Sequence, residues 1–283
     1  MTKNIKIFLR TIIALVVIAA AAGALVVYKI KNGFPVSFET DQPEISFPAN
    51  KPALLLFSKT TGYRHSESIE AAKHVFQNLS EKNNWFLYET EEGGVFNPEQ
   101  LRNFKVIIIN NATGRILSAE QQKAVKQFVD SGGTLIGIHG TGDFSHDDWP
   151  WMNTNLVGAR FSHHPLNPQL QAAQVHIDKN ADSIITHHLP ESWKQTDEWY
   201  IYFSQPKGVK IVAFIDGEKI LPSGNMFFVH DKNFGMGKYQ PVAWYRNVGS
   251  GKTFYTSMGH DPAVWKNENF VSLLENAVYW SIK

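Results

Sequence analysis

The sequence contains no cysteine. That absence removes disulfides, thiolate metal sites and a cysteine nucleophile together. Excess charge of one sign is lacking too, since 27 lysines and arginines face 26 acids for a formal net charge of +1. No basic footprint of the kind that tracks a phosphate backbone is present, so no nucleic-acid partner is expected. The spacing H-E-x-x-H is absent, so a metal would have to gather ligands from distant loops. A complete phosphate-binding loop is missing as well. Gly249-Ser250-Gly251-Lys252-Thr253 has the right ending, but Arg246 stands where the motif needs glycine. The strand-like Phe254-Tyr255-Thr256 follows where the motif needs a helix. That segment reads as a hairpin turn, and ATP is not an expected ligand.

What is present begins with a long apolar run. Lys3, Lys6 and Arg10 precede an uncharged stretch from Thr11 to Tyr28, and Lys29 and Lys31 follow it. Eighteen residues at the helical rise span about 27 Å, close to the hydrocarbon thickness of a bilayer. The basic cluster at the front predicts a cytoplasmic N-terminus, with the rest of the chain outside the cytoplasm. Ala20-Ala21-Ala22 offers small residues to a signal peptidase, but the apolar run continues through Leu25, Val26 and Val27. Residues 1–31 are therefore expected to be an uncleaved signal anchor. Residues 32–50, with Pro35, Pro43 and Pro48, read as an extended linker.

Residues 51–283 read as one domain, and the 43% hydrophobic content of the chain suits a folded core. Ala53–Phe57, Trp85–Glu89, Val106–Asn110 and Thr134–Ile138 are short apolar runs suited to strands. Between them lie helical patterns. Ile69, Ala72, Phe76 and Leu79 share one face after Ser66. Asn97-Pro98 supplies an N-cap with proline at the first helical position. Ser118 with Gln121 forms a capping box, and Gly132-Gly133 stops the helix that follows. Alternation of this kind predicts an α/β fold with a doubly wound, mostly parallel, flavodoxin-like sheet. The C-terminal half is less regular, with strands expected over Val209–Ile215, Val242–Tyr245 and Lys252–Ser257 and a closing helix over Phe270–Trp280.

Ligands of open parallel sheets bind beyond the carboxyl ends of the strands. That rule selects Ser58–His65, Asn110–Gly114 and His139–Asp143, all polar and glycine-containing. His139, between Gly137 and Gly140, occupies the place of the nucleophile in a strand-to-helix elbow. It reads as a base, acid or ligand residue, with Asp143 on the same loop able to orient it. One of His163 and His164 is expected to point inward, and His260 follows Gly259 at a strand end. His187-His188 reads as a loop feature and His74 as a solvated helix residue. Asp197-Glu198 precede Trp199-Tyr200, so a buried acid–base carboxylate and an exposed acid are equal readings there. Trp244 is open between stacking on a sugar face and filling the core.

These residues in combination resemble the ThuA-like, or trehalose-utilisation, family. The resemblance rests on Tyr63-Arg64-His65, then Gly137-Ile138-His139-Gly140 with Asp143, then Gly158-Ala159-Arg160-Phe161 with His164-Pro165. It continues through Asp197-Glu198-Trp199-Tyr200, Pro241–Tyr245 and Gly249–Lys252 to Gly259-His260-Asp261, covering nearly everything from Ala53 to Trp280. It implies a fold similar to class I glutamine amidotransferases, which carry a cysteine at the elbow; without cysteine, that chemistry is excluded. It further implies a small-molecule sugar, namely trehalose or another glucoside or its 3-keto form, as ligand. On that basis His139, Asp143, Glu198 and His260 are expected to carry acid–base isomerisation, elimination or cleavage. His65, His164 and Trp244 are expected to bind substrate. A non-catalytic carbohydrate-binding role is the alternative. No cofactor is assigned, and a divalent metal held by histidine and carboxylate is the lesser reading.

Overall fold

The computed structural model describes residues 3–32, 37–143, 145–222 and 236–283. Helix α1 (Lys3–Asn32) contains the apolar run. Among the described residues it is the one helix long and apolar enough to cross a membrane, and no part of its apolar stretch is buried.

The strands β1 (Ala53–Phe57), β2 (Phe86–Thr90), β3 (Val106–Asn110) and β4 (Thr134–Ile138) fall where the apolar runs lie. Strands β1, β3 and β4 are buried at every position, as strands covered on both faces must be. Helices α2 (Ser66–Lys82), α3 (Pro98–Leu101) and α4 (Ala119–Asp130) connect them. Both predicted start signals are present. The Asn97 side chain accepts from Gln100 N, and Ser118 and Gln121 close a reciprocal capping box. Along β1 the side chains alternate between two cores. Leu54 and Leu56 join Ala72 and Phe76 of α2, while Leu55 and Phe57 join Leu101 of α3 and Val125 of α4. Helices thus cover both faces of the sheet.

Two further helices, α5 (Pro150–Met152) and α6 (Glu268–Ile282), follow later in the chain. The remaining strands are β5 (Phe161–His163), β6 (Gln171–Ile177), β7 (Ser192–Asp197), β8 (Ile201–Tyr202), β9 (Lys210–Ile215), β10 (Gln240–Val248) and β11 (Gly251–Thr256). Among the described residues the main sheet has nine strands in the order β2-β1-β3-β4-β11-β10-β9-β6-β7, and β5 pairs with β8 apart from it. Its first five strands are mutually parallel, whereas β10, β9, β6 and β7 extend it antiparallel. The fifth parallel strand, β11, therefore arrives only after an insertion holding the antiparallel strands. Strands β10 and β11 meet through a two-residue turn at Gly249-Ser250, which disposes of the phosphate-loop resemblance.

Residues 37–50 are extended and lie against the domain. Lys59 Nζ reaches both Glu39 oxygens at 2.7 and 2.6 Å and the Ser37 carbonyl at 3.0 Å. The Glu39 carboxylate also accepts from Gly93 N, its carbonyl accepts from Gln121 Nε2, and the Pro43 carbonyl accepts from Gln100 Nε2. Phe47 packs edge-on against Phe86 and Phe104, with ring centroids 5.7 and 5.1 Å apart. Burial alone would raise the Glu39 carboxyl, but the hydrogen bonds from Lys59 and Gly93 outweigh it and hold it below its ordinary value of 4.5. A value depressed in the folded state stabilises docking above the unfolded value and is lost as pH falls through the folded one. Glu39→Gln is expected to weaken docking by about 1 kcal/mol or less, because the pair is partly solvated. Limited proteolysis at neutral pH should then cut within residues 37–50 faster than in the parent chain. Acidification below about pH 4 should reproduce that cutting in the parent and add little in the variant.

Candidate active site

The carboxyl ends of β1, β4 and β11 and the end of β7 deliver their loops to one place. His65 ends the loop after β1 and immediately precedes α2. His139 directly follows β4 with a φ of +44°, a left-handed conformation uncommon for a bulky residue. This is the strained elbow that the glycines on either side suggested, and such strain collects at functional sites. His260 follows β11 by way of Gly259, whose φ of +113° turns the chain back toward the site. Gly140 permits the close approach of the first two, since a Cβ there would lie 3.1 Å from His65 Cε1.

The three imidazoles form a triangle with every pair of ring centroids 5.0 Å apart. One nitrogen from each lies within 4.8 Å of the other two. His139 Nδ1 is 2.8 Å from the Ser257 carbonyl. A carbonyl only accepts, so Nδ1 carries a proton and Nε2 is the nitrogen that faces the cluster. That Nε2 is 3.1 Å from His260 Nδ1 and 3.4 Å from Glu198 Oε2. The Tyr200 ring packs 4.4 Å from the His139 ring. His65 Nδ1 is buried without a hydrogen-bond partner; an unmet buried polar atom costs about 1–3 kcal/mol.

Glu198 binds the cluster to its mouth. Its Oε1 accepts from Gln169 Nε2 at 2.6 Å and from His164 Nδ1 at 3.0 Å, while Oε2 stands 3.4 Å from His260 Nδ1. The carboxylate and His139 are 1% and 0% exposed at the floor, whereas His164 and His260 are 30% and 16% exposed at the opening. Burial works against the charge on Glu198, but hydrogen bonds from His139 and His164 prevail and hold it well below the usual carboxylate range. His164 shows the complement: burial lowers it, yet the Glu198 carboxylate raises it above its ordinary value. The two form an ion pair. Burial, and then the neighbouring imidazoles, push His65 down to about 2 and His260 to about 4, so both are neutral at physiological pH.

Asp197 holds this arrangement from behind. Its Oδ2 accepts from Gly259 N at 2.7 Å, and its Oδ1 from His260, Asp261 and Glu198 amides at 3.1, 3.3 and 2.9 Å. Burial pushes this carboxyl up to about 6 against the pull of those amides. With donors around both oxygens, it acts as a carboxylate acceptor.

Other expected residues lie elsewhere. Asp143 does not orient His139. Its Oδ1 accepts from the Ser145 amide and hydroxyl at 2.8 and 2.5 Å, while Ser257 fixes His139 instead. Asp143 lines a separate cavity of about 800 Å³ with Arg160, Lys207 and Arg246. That cavity is large, but the histidine cluster is not among its walls. Trp244 is a core residue, wholly buried, donating to the Val157 carbonyl at 2.9 Å and packed against Tyr255 and Tyr202. Of the two readings of Trp244, the structure selects the core and not the sugar face. His163 turns away to the Pro222 carbonyl, leaving His164 as the inward member of that pair. Gln169 belongs to the site without any signal in its own surroundings, since Asn167, Pro168 and Leu170 form no motif.

A flavodoxin-like α/β domain with a histidine–carboxylate site on its carboxyl edge, and no elbow cysteine, defines a narrow class. The chain belongs to the ThuA family, whose model, described as trehalose utilisation, matches residues 53–281. A ThuA-like protein from Bacteroides uniformis is similar at 22% identity and a TM-score of 0.67, over 88% of this chain and 95% of that one. Another, from Parabacteroides merdae, is similar at 16% identity and a TM-score of 0.60, over 82% and 90%. At these identities the likeness concerns the fold. No curated protein matches the chain.

The role of Asp197 has a direct consequence. In Asp197→Asn one polar atom facing the amides becomes a donor itself. The variant is expected to lose about 2–3 kcal/mol of stability, read as a lowered urea midpoint. Asp143→Asn, whose hydrogen bonds are to the amide and hydroxyl of Ser145, is expected to lose less than half as much.

Proposed function

We propose that this chain is a membrane-anchored enzyme acting on a glucoside or 3-keto-glucoside by proton transfer outside the cytoplasm. The observation that carries the reading is the Glu198–His164 ion pair, with its acid partner at the mouth and its carboxylate on the floor. A ketone acidifies the neighbouring C–H, so the chemistry requires a positioned base and a donor for the carbonyl oxygen. Glu198 takes the proton from carbon. His164, kept protonated by that same carboxylate, donates to the developing oxyanion. The electron pair left on carbon becomes an enediol. Return of the Glu198 proton at the adjacent carbon gives isomerisation. Alternatively the O–H proton goes back to His164 and the carbonyl re-forms. A new C=C then forms as the bond to the β substituent breaks, and the departing aglycone oxygen takes the proton held by Glu198. Gln169 fixes Glu198 Oε1 at 2.6 Å, keeping Oε2 turned toward the cluster. The family's description as trehalose utilisation supports a sugar as the substrate class.

Hydrolysis by two carboxylates fits less well. Asp197, the other buried acid here, is fully engaged by backbone amides, whereas such mechanisms require two carboxylates free to face the bond.

With full-length protein in detergent, Glu198→Gln is expected to lower kcat on a 3-keto-glucoside by roughly 10²–10⁴-fold. Equilibrium binding of the same sugar should change by less than tenfold. Saturable binding without product from any trehalose, glucoside or keto-glucoside would favour a carbohydrate-binding role instead. Anchoring is checked separately. After an alkaline carbonate wash the full chain should stay with the membrane fraction, at the mass of the uncleaved polypeptide.

A further inference from the structure

The three imidazoles above Glu198 have more in common than a hydrogen-bond network requires. Their rings form an equilateral triangle, drawn from three separate loops at the carboxyl edge of the sheet. His139 commits its Nδ1 proton to the Ser257 carbonyl and turns Nε2 inward. A ring N–H donated to a backbone carbonyl is how metal-bound histidines are oriented. His65 Nδ1 is buried and unpartnered. His139 Nε2 and His260 Nδ1 stand 3.1 Å apart as one hydrogen-bonded pair, and His65 brings an unpartnered ring nitrogen to the same cluster. Within that same set, these are the histidines that meet the spacing a metal needs.

We propose that His65, His139 and His260 bind a divalent first-row transition-metal ion, with Glu198 beside it as the balancing charge. The inference deepens the proposed function and rests on the same site. Around a tetrahedral zinc the bound nitrogens would stand about 3.4 Å apart. The His139–His260 pair is at 3.1 Å already, and the remaining separations, within 4.8 Å, close by rotation of the His65 ring. Nitrogen donors without thiolate suit zinc, cobalt, nickel or iron, and they disfavour calcium and magnesium, which seek oxygen. Three protein ligands leave a coordination position open, as catalytic sites do. A metal bound there supplies Lewis acidity toward a sugar carbonyl. The Glu198–His164 pair, which is not among the ligands, remains free for proton transfer.

The test uses full-length protein in detergent, stripped with chelator and dialysed. Titration with zinc chloride, followed by calorimetry and by metal analysis after gel filtration, is expected to give one ion per chain. Magnesium and calcium chloride should give no saturable heat. His65→Ala and His260→Ala are each expected to weaken zinc binding by more than about 100-fold, beyond what loss of an outer partner brings. His164→Ala should stay within about tenfold, because its ring contacts Glu198 rather than the ion. His260→Gln, at the exposed mouth, serves if an alanine variant fails to fold by circular dichroism. Cobalt substitution adds a readout independent of turnover: visible d–d bands in the parent, absent in the His260 variants. Absence of saturable zinc binding by the folded, stripped parent overturns the proposal. So does unchanged affinity in the His65 and His260 variants. Turnover of a keto-glucoside by stripped protein that shows no saturable zinc binding would reject the metal and keep the acid–base enzyme. Stoichiometric zinc binding without turnover of any sugar would keep the metal and reject the enzyme.

Discussion

A single carboxylate, Asp197, holds the two halves of the sheet in register at the site. It ends β7, the outermost antiparallel strand, yet its oxygens accept the Gly259, His260 and Asp261 amides just after β11 in the middle of the sheet. Three strands lie between those two in the sheet order. The next residue, Glu198, is thereby carried over the parallel half and set against His139 and His260. Hydrogen bonds to an ionised acceptor are about twice as strong as neutral ones, and this group accepts four. The antiparallel insertion is thus more than an appendage to a flavodoxin-like core. It furnishes the floor of the site.

The parallel half is legible in the sequence because its physics is local. Uninterrupted apolar runs such as Val106–Asn110 suit strands buried on both faces, and Ser118 with Gln121 marks a helix start wherever it folds. Ligands gather at the carboxyl ends of parallel strands, so the strand pattern alone brings His65 and His139 forward. Strands β6 and β7 are not legible. Their sequences, QAAQVHI and SWKQTD, are polar and poor in β-branched residues. What makes them strands is pairing with each other and with β9, a tertiary cause invisible to a window of sequence.

The same distinction applies within the site. His139 is recognisable from its flanking glycines, whereas its orienting partner is the backbone carbonyl of Ser257, 118 residues further along. A carbonyl has no sequence signature. Asp143 looks the better partner because it is near in sequence, but its oxygen is satisfied within its own turn by Ser145. Trp244 could meet a sugar or a core with equal chemical sense. Its place in the middle of β10, beneath Val157, decides for the core. The Asp197-Glu198 pair shows how far position outweighs residue type: two adjacent acids, one spent on amides and the other on imidazoles.

The docked segment at residues 37–50 bears on where substrates are met. Between the end of α1 at Asn32 and the docked Ser37 only residues 33–36 intervene, a stretch that cannot reach beyond about 20 Å. The clamp formed by Glu39 and Lys59 lies just past β1, on the same edge of the sheet as the histidines. If α1 sits in a bilayer, as proposed, the domain is not a float on a long line but a fixture, mounted by the edge that carries the histidine cluster. On the proposed function, a sugar released by a neighbouring enzyme fixed to the same membrane would reach it at a local concentration set by their spacing in the plane rather than by the volume of the compartment.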